Sequence, residues 1–356
     1  MLLRTTVLIT RLFLPILLPI LVFCPFQVIA QHQNQAVILQ YHHVSSQTPP
    51  ITSLSPEAFN THMNYLDENG FSVLALQDVI ASLRNGDLLL DKTAVITFDD
   101  GYTSVFEAAY PILKARGWPF TIFVTTGLVG SNDRLYSSWE QIREMASTGA
   151  TIANHTVSHP YLIRHNGASE AEWLQSVEAE IIRAEDTIMR ETGQQHKLLA
   201  YPYGEYNPPI QTLVKTLGFV GIAQHSGPIN SNADFTALSR FPFSGIYASM
   251  NSFPTKVMSL AFNLDSISPT SPITSLASPG ATLDFSANQA GLTQLACFNN
   301  NEMMEVSAVD QGESVYQVNT RIENRSRRFR YNCTAPGDDN RYYWHSIPWI
   351  NPDISE

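Results

Sequence analysis

The chain has 356 residues, 44% of them hydrophobic, which is enough for sizeable cores and more than one typical domain requires. Its 32 acidic residues outnumber 21 Lys and Arg, a formal net charge of −11. An acidic balance of this size argues against a protein that tracks nucleic acid or an anionic membrane surface.

Residues 1–30 carry Arg4 and Arg11, no acid, and an apolar run from Leu12 to Phe26 broken by Pro15, Pro19 and Pro25. With Val28-Ile29-Ala30 at its end, this is the pattern of a secretory signal cut after Ala30. The prolines and the interrupted length argue against a stable membrane span, a retained anchor being the alternative. Cleavage would discard Cys24 and leave 19 basic against 32 acidic residues, a net charge of −13, on a chain exported to the periplasm or beyond.

From residue 31 to about 263, short β-type runs alternate with helical patterns. Strands are predicted at 37–40, 72–75, 94–98, 120–124, 150–154, 198–201, 219–224 and 238–241. Ser55-Pro56-Glu57 is a helix start, Phe59, Met63 and Leu66 its apolar stripe, and Gly70 its stop. Leu174, Val177, Ile181, Ala184 and Ile188 recur every three or four residues along a longer amphipathic helix. Such alternation predicts an α/β fold with parallel strands, either doubly wound or closed into a barrel.

Three motifs follow predicted strands. Thr97-Phe98-Asp99-Asp100-Gly101 ends one apolar run, so two carboxylates fall at the C-terminal end of a strand, where α/β sheets place their chemistry. Adjacent acids are reconciled when one binds a cation and the other titrates, which makes Asp100 a metal ligand and Asp99 a base. The pentapeptide by itself is equally compatible with a solvated turn. The second motif is His155-Thr156-Val157-Ser158-His159. In a helical turn this spacing puts both imidazoles on one face, and with Asp100 they make three protein ligands with a position left open for chemistry. The third is Tyr201-Pro202-Tyr203-Gly204.

In this order the three motifs resemble those of the polysaccharide deacetylases, the family-4 carbohydrate esterases with a NodB homology domain. Tyr41-His42-His43-Val44 and Tyr201-Pro202-Tyr203-Gly204-Glu205-Tyr206-Asn207 are most similar to the branch that deacetylates poly-N-acetylglucosamine. The resemblance spans roughly residues 36–258 and implies a distorted, incomplete β/α barrel and a divalent metal, Zn²⁺ foremost. It also implies metal-dependent removal of N-acetyl groups from an N-acetylglucosamine polysaccharide, a substrate compatible with an acidic protein. A sugar O-acetyl esterase, or a deacetylase of peptidoglycan or chitin oligomers, is the alternative on the same barrel. In such enzymes the backbone N–H at the position of Tyr203 helps bind the oxyanion, and the His after Tyr in the first strand, here His42, protonates the leaving amine. His225 at the end of another predicted strand is the rival acid. Many members place an Arg two residues before the Pro of the third motif to steady the catalytic Asp. Ala200 stands there, and Arg240 is the candidate replacement. The family's late Leu-x-His motif is absent.

After Asn263 the texture changes. Residues 264–281 hold Pro269, Pro272 and Pro279 among Ser and Thr and read as a linker or long surface loop. Residues 282–356 show short alternating runs separated by Asp, Asn and Gly, the pattern of a small antiparallel β module. Cys297 and Cys333, the two cysteines left after signal removal, are expected to pair in an oxidising compartment. Arg325-Ser326-Arg327-Arg328-Phe329-Arg330 reads as a solvated strand edge, the alternative being a grip on an acidic polymer or on the acidic barrel. Tyr342, Tyr343, Trp344 and Trp349 at strand positions read as core, with sugar stacking as the alternative.

Overall fold

The structure, a computed structural model, describes residues 32–131, 134–309 and 314–355. The signal segment expected at 1–30 lies outside the described residues. In chain order the first part runs β1 (Gln35–Tyr41), α1 (Pro56–Glu68), α2 (Leu76–Asn85), β2 (Thr93–Phe98), α3 (Tyr110–Arg116), β3 (Phe120–Val124), α4 (Trp139–Ser147), β4 (Ala150–Asn154), α5 (Glu170–Thr192), β5 (Leu198–Ala200), α6 (Pro208–Thr216), β6 (Val220–Ile222) and β7 (Phe241–Pro242). The strands lie in the order β6-β5-β4-β3-β2-β1, every neighbour parallel. On the far side of β1, β7 pairs parallel with it, while Leu238 bridges to Ile222 of β6. The segment 238–243 therefore touches both outer strands and closes the ring as a short, irregular last stave. This is the distorted β/α barrel that the motifs imply.

Apolar patterning explains the layers. Val37, Leu39 and Tyr41 of β1 face outward onto α1, where Phe59, Met63 and Leu66 are buried with them. Ile38, Val95, Phe123, Ala153, Leu198, Ile222 and Leu238 come one from each stave and meet in a single cluster, which is the barrel interior. The N-cap of α1 is Ser55, whose side chain accepts from the Ala58 N–H, and the helix ends two residues before Gly70 at φ 70°. The long helix α5 buries Val177, Ile181, Ala184 and Ile188 as its spacing requires.

The remainder is all-β: β8 (Leu260–Ala261), β9 (Leu264–Ser268), β10 (Ala281–Phe285), β11 (Ala296–Asn299), β12 (Glu305–Ala308), β13 (Val315–Asn319), β14 (Arg328–Pro336) and β15 (Tyr342–Ile350). They form two sheets, β8-β15-β14-β11 with Glu302–Met303 at its far edge, and β9-β10-β13-β12. Cys297 and Cys333 lie opposite one another in the β11–β14 ladder and are disulfide-bonded. Both are fully buried in the core of the module, beside Tyr331 and Trp349. The segment 264–281 departs from the linker expectation: β9 pairs with β10, and beyond it the Ile350 N–H donates to the Pro272 carbonyl and the Tyr331 hydroxyl to that of Pro279. Its prolines punctuate pairing instead of preventing it. The described residues make one compact unit.

Candidate active site

The ends of β1, β2 and β4, the turn after β5 and the closing stave meet at one mouth. Asp99, fully buried, follows β2 directly. Arg240 reaches it from the closing stave, Nη1 to Oδ1 at 2.7 Å and Nη2 to Oδ2 at 2.8 Å. The same guanidinium donates to the Ala223 carbonyl and to Thr97 Oγ1, so it is held on several sides. Gln40 at the end of β1 donates to Asp99 Oδ2 at 2.7 Å. Burial alone would raise the Asp99 pKa, but the charge of Arg240, then those of His155 and His42, outweighs it and leaves the carboxyl below its usual value. His42 Nε2 stands 3.9 Å from Oδ2.

Asp100, next along, takes a left-handed φ of 73°, which turns its carboxylate away from Asp99's partners toward the second motif. His155 Nε2 lies 3.2 Å and His159 Nε2 3.3 Å from Asp100 Oδ1. The two histidines do not share a helical turn. The chain after β4 is a loop, shaped by Thr156 at φ 68° and His159 at φ 57°. Asn154 Oδ1 accepts the Thr156 N–H, and Glu180 on α5 accepts from Val157 N and Ser158 N. The spacing of four still brings the rings together, with centroids 4.8 Å apart. His155 Nδ1–H donates to the Ala200 carbonyl at 2.8 Å, which aims Nε2 at Asp100; burial alone would lower the His155 pKa, but its hydrogen bond to Asp100 and the charges of Asp99 and Asp100 together outweigh burial and raise it. Burial and the neighbouring His155 lower the His159 pKa to about 4, so its ring is neutral. One donor atom from each of the three residues lies within 4.8 Å of the other two. Two imidazoles and a carboxylate, one ring oriented from behind, suit a divalent transition cation.

A profile for polysaccharide deacetylase matches residues 89–222, from just before β2 to the end of β6. YxkH of Bacillus subtilis, named as a polysaccharide deacetylase, is 30% identical over 204 residues, covering 57% of this chain and 69% of its own length. The chain belongs to the polysaccharide deacetylase family. A poly-β-1,6-N-acetyl-D-glucosamine N-deacetylase of Staphylococcus aureus is 27% identical over 208 residues, 52% of this chain and 70% of the relative. The solved structure of IcaB from Ammonifex degensii matches with a TM-score of 0.54 at 26% identity, over 63% of this chain and 96% of IcaB.

In this deacetylase the mouth is walled by aromatic rings. On one side His43 stacks on Tyr102 at 3.5 Å and Tyr102 on Tyr136 at 5.1 Å. An open groove of about 680 Å³ runs on from there past Ser104, Glu107 and Gln141. On the other side Tyr203, at φ 58°, packs edge-on against His159 and face to face with Tyr161 at 3.9 Å. Asp100, Thr156, His159 and Tyr203 are all non-glycine residues at positive φ, a clustering of backbone strain typical of functional sites. The fold thus gathers His42, Asp99, Asp100, His155, His159, Tyr203 and Arg240. His225 goes elsewhere: it lines a separate cavity of about 290 Å³ between the barrel and the β module, beside His345. Burial, then His345 and Arg330, lowers its pKa to about 3. Gln40 went unread in the sequence, although an amide closing an otherwise apolar strand, directly before Tyr41-His42, was the available signal.

Proposed function

We propose that this deacetylase is an exported, metal-dependent N-deacetylase of an N-acetylglucosamine polymer. The observation that carries the reading is the adjacency of a buried, Arg-paired carboxylate to an Asp-His-His donor set in one mouth. The name of the Staphylococcus aureus relative and the open groove that runs from His43 and Tyr136 support a polymeric N-acetylglucosamine substrate. Asp100, His155 and His159 would hold the cation, Zn²⁺ by their donor types. Bound there, it would act as a Lewis acid on the acetamide carbonyl and lower the pKa of water.

The chain's own groups supply the rest. Asp99, kept ionised by Arg240, accepts the proton of the attacking water, while Arg240 and Gln40 fix the plane of its carboxylate. Because its basicity is low, it gives that proton up readily afterwards. The Tyr203 N–H donates to the oxygen that gains charge. His42 delivers a proton to the amide nitrogen as the C–N bond breaks, so acetate and a free amine leave. The signal pattern and the Cys297–Cys333 bridge support export to an oxidising compartment. Purified protein assayed on poly-β-1,6-N-acetylglucosamine, chitin oligomers and peptidoglycan tests the proposal. Free amines from the first are the expected result. Acetate released without amine would make the enzyme an O-acetyl esterase.

A further inference from the structure

The basic stretch before and within β14 is not a solvated edge. Arg327, 5% exposed, donates from Nε and Nη2 to the two oxygens of Glu205 at 2.6 and 2.8 Å, and from Nη1 to the carbonyls of Pro352 and Ile354. Arg328 Nη1 donates to Glu205 Oε1 at 3.2 Å, and its guanidinium carbon lies 5.5 Å from the centre of the Tyr203 ring. Arg330 donates to the Gln224 carbonyl at 3.3 Å. Glu205, itself fully buried, directly follows the Tyr203-Gly204 turn. That turn is tight: Gly204 has φ 70°, and a Cβ there would meet the Gln224 side chain at 2.8 Å.

Two successive left-handed residues hold the Tyr203 N–H in place, and such a turn needs restraint from outside itself. The restraint comes from beyond the barrel, more than 120 residues along the chain. Arg327 also lies 5.3 Å from the Tyr161 ring, on which Tyr203 stacks, so both rings of this wall face the same pair of arginines.

We infer that the β module completes the active site, with Arg327 and Arg328 as positioning residues that clamp Glu205 and thereby fix the Tyr203 turn at the mouth. The inference rests on the proposed oxyanion role of Tyr203. A donor aimed by a clamp acts on the transition state more than on the bound substrate, so loosening it lowers kcat with KM nearly unchanged.

The test compares wild type, Glu205→Gln, Arg328→Ala, Arg328→Lys and the exposed neighbour Arg325→Ala, each for metal content, melting temperature and kinetics. Two substrates are used, an N-acetylglucosamine oligomer and an activated aryl acetate. Arg328 is partly exposed, so Arg328→Ala decides the matter if Glu205→Gln is not recovered folded. Its kcat is expected to fall about ten- to a hundredfold on both substrates, since losing an oxyanion donor outright costs about 10²–10³. KM is expected to stay within about twofold, metal at wild-type stoichiometry, and Arg328→Lys to recover part of the rate, with Arg325→Ala equal to wild type. Wild-type kcat in Arg328→Ala, or a loss matched by lost metal or by unfolding, overturns the clamp. If wild type cleaves the aryl acetate but releases no amine from the oligomer, the proposed substrate falls while the clamp is still decided on the ester.

Discussion

Removing a single group from the mouth separates the proposed roles. His159→Ala deletes one of three donors, and metal analysis of the purified variant is expected to find most of the ion gone along with nearly all activity; stoichiometric metal would refute the assignment. Asp99→Asn keeps the size of the side chain but cannot accept a proton, so metal is expected to stay while kcat falls about 10²- to 10⁴-fold. An Asn variant without metal would mean that the two aspartates have exchanged roles. His42→Ala is expected to damage amide hydrolysis far more than cleavage of an aryl acetate, whose leaving group needs no protonation. Equal losses on both would remove His42 as the acid. These residues were legible because each motif ends a strand, and strand ends of one polarity share a mouth. Gln40 was not, since a lone amide carries no spacing that marks it. Neither was the Glu205–Arg327 pair, whose partners are 122 positions apart in the chain.

At the scale of elements, apolar runs located the strands well because parallel barrel strands are buried on both faces and read as unbroken hydrophobic stretches. All residues of β2, β3 and β4 are buried, and the predicted 120–124 and 150–154 coincide with β3 and β4. Connections were harder. The loop carrying His155 and His159 follows from left-handed residues and from Asn154 and Glu180 acting at a distance, none of which a periodicity reveals. In the β module the disulfide joins two strands across a sequence separation of 36. In the chain-entropy picture its closure stabilises by at most about 4 kcal/mol. Replacing Cys297 and Cys333 together by Ser is therefore expected to lower the urea midpoint clearly; an unchanged midpoint would mean that the reduced chain is already held by the ladder.

For the molecule as a whole, buried histidines tie stability to pH. His62 on α1 accepts from the Tyr41 hydroxyl at Nδ1 and donates from Nε2 to the Ala248 carbonyl, an arrangement that only the neutral ring satisfies. Burial lowers its pKa to about 4, that of His345 to about 4 and that of His225 to about 3. The unfolded chain binds protons at these rings below about pH 6.5 and the folded one does not, so stability is full above that value and declines toward pH 4. Denaturant midpoints measured from pH 7.5 to 4.5 are expected to fall, and less steeply in His62→Gln; a flat wild-type profile would refute this. Arg341 bonding to Asp91 and Arg327 to Glu205 join the β module to the barrel, and we expect one unfolding transition in calorimetry, two resolved transitions being the contrary result. The sequence divided the chain near residue 264 by texture, and texture carries no information about ion pairs between distant segments.

The closing stave brings order in time as well as in space. Arg240 belongs to the segment that joins β6 back to β1, so the Asp99 carboxylate is neutralised by the residue that arrives when the ring shuts. A nascent chain halted before residue 240 could already own Asp100, His155 and His159, and so bind an ion, yet it would lack the cation that makes a dry Asp99 tolerable. Under the proposed roles, ring closure is in this sense what readies the base: a chain still open at the closing stave has the proposed donor set but not the ion pair that Asp99 needs.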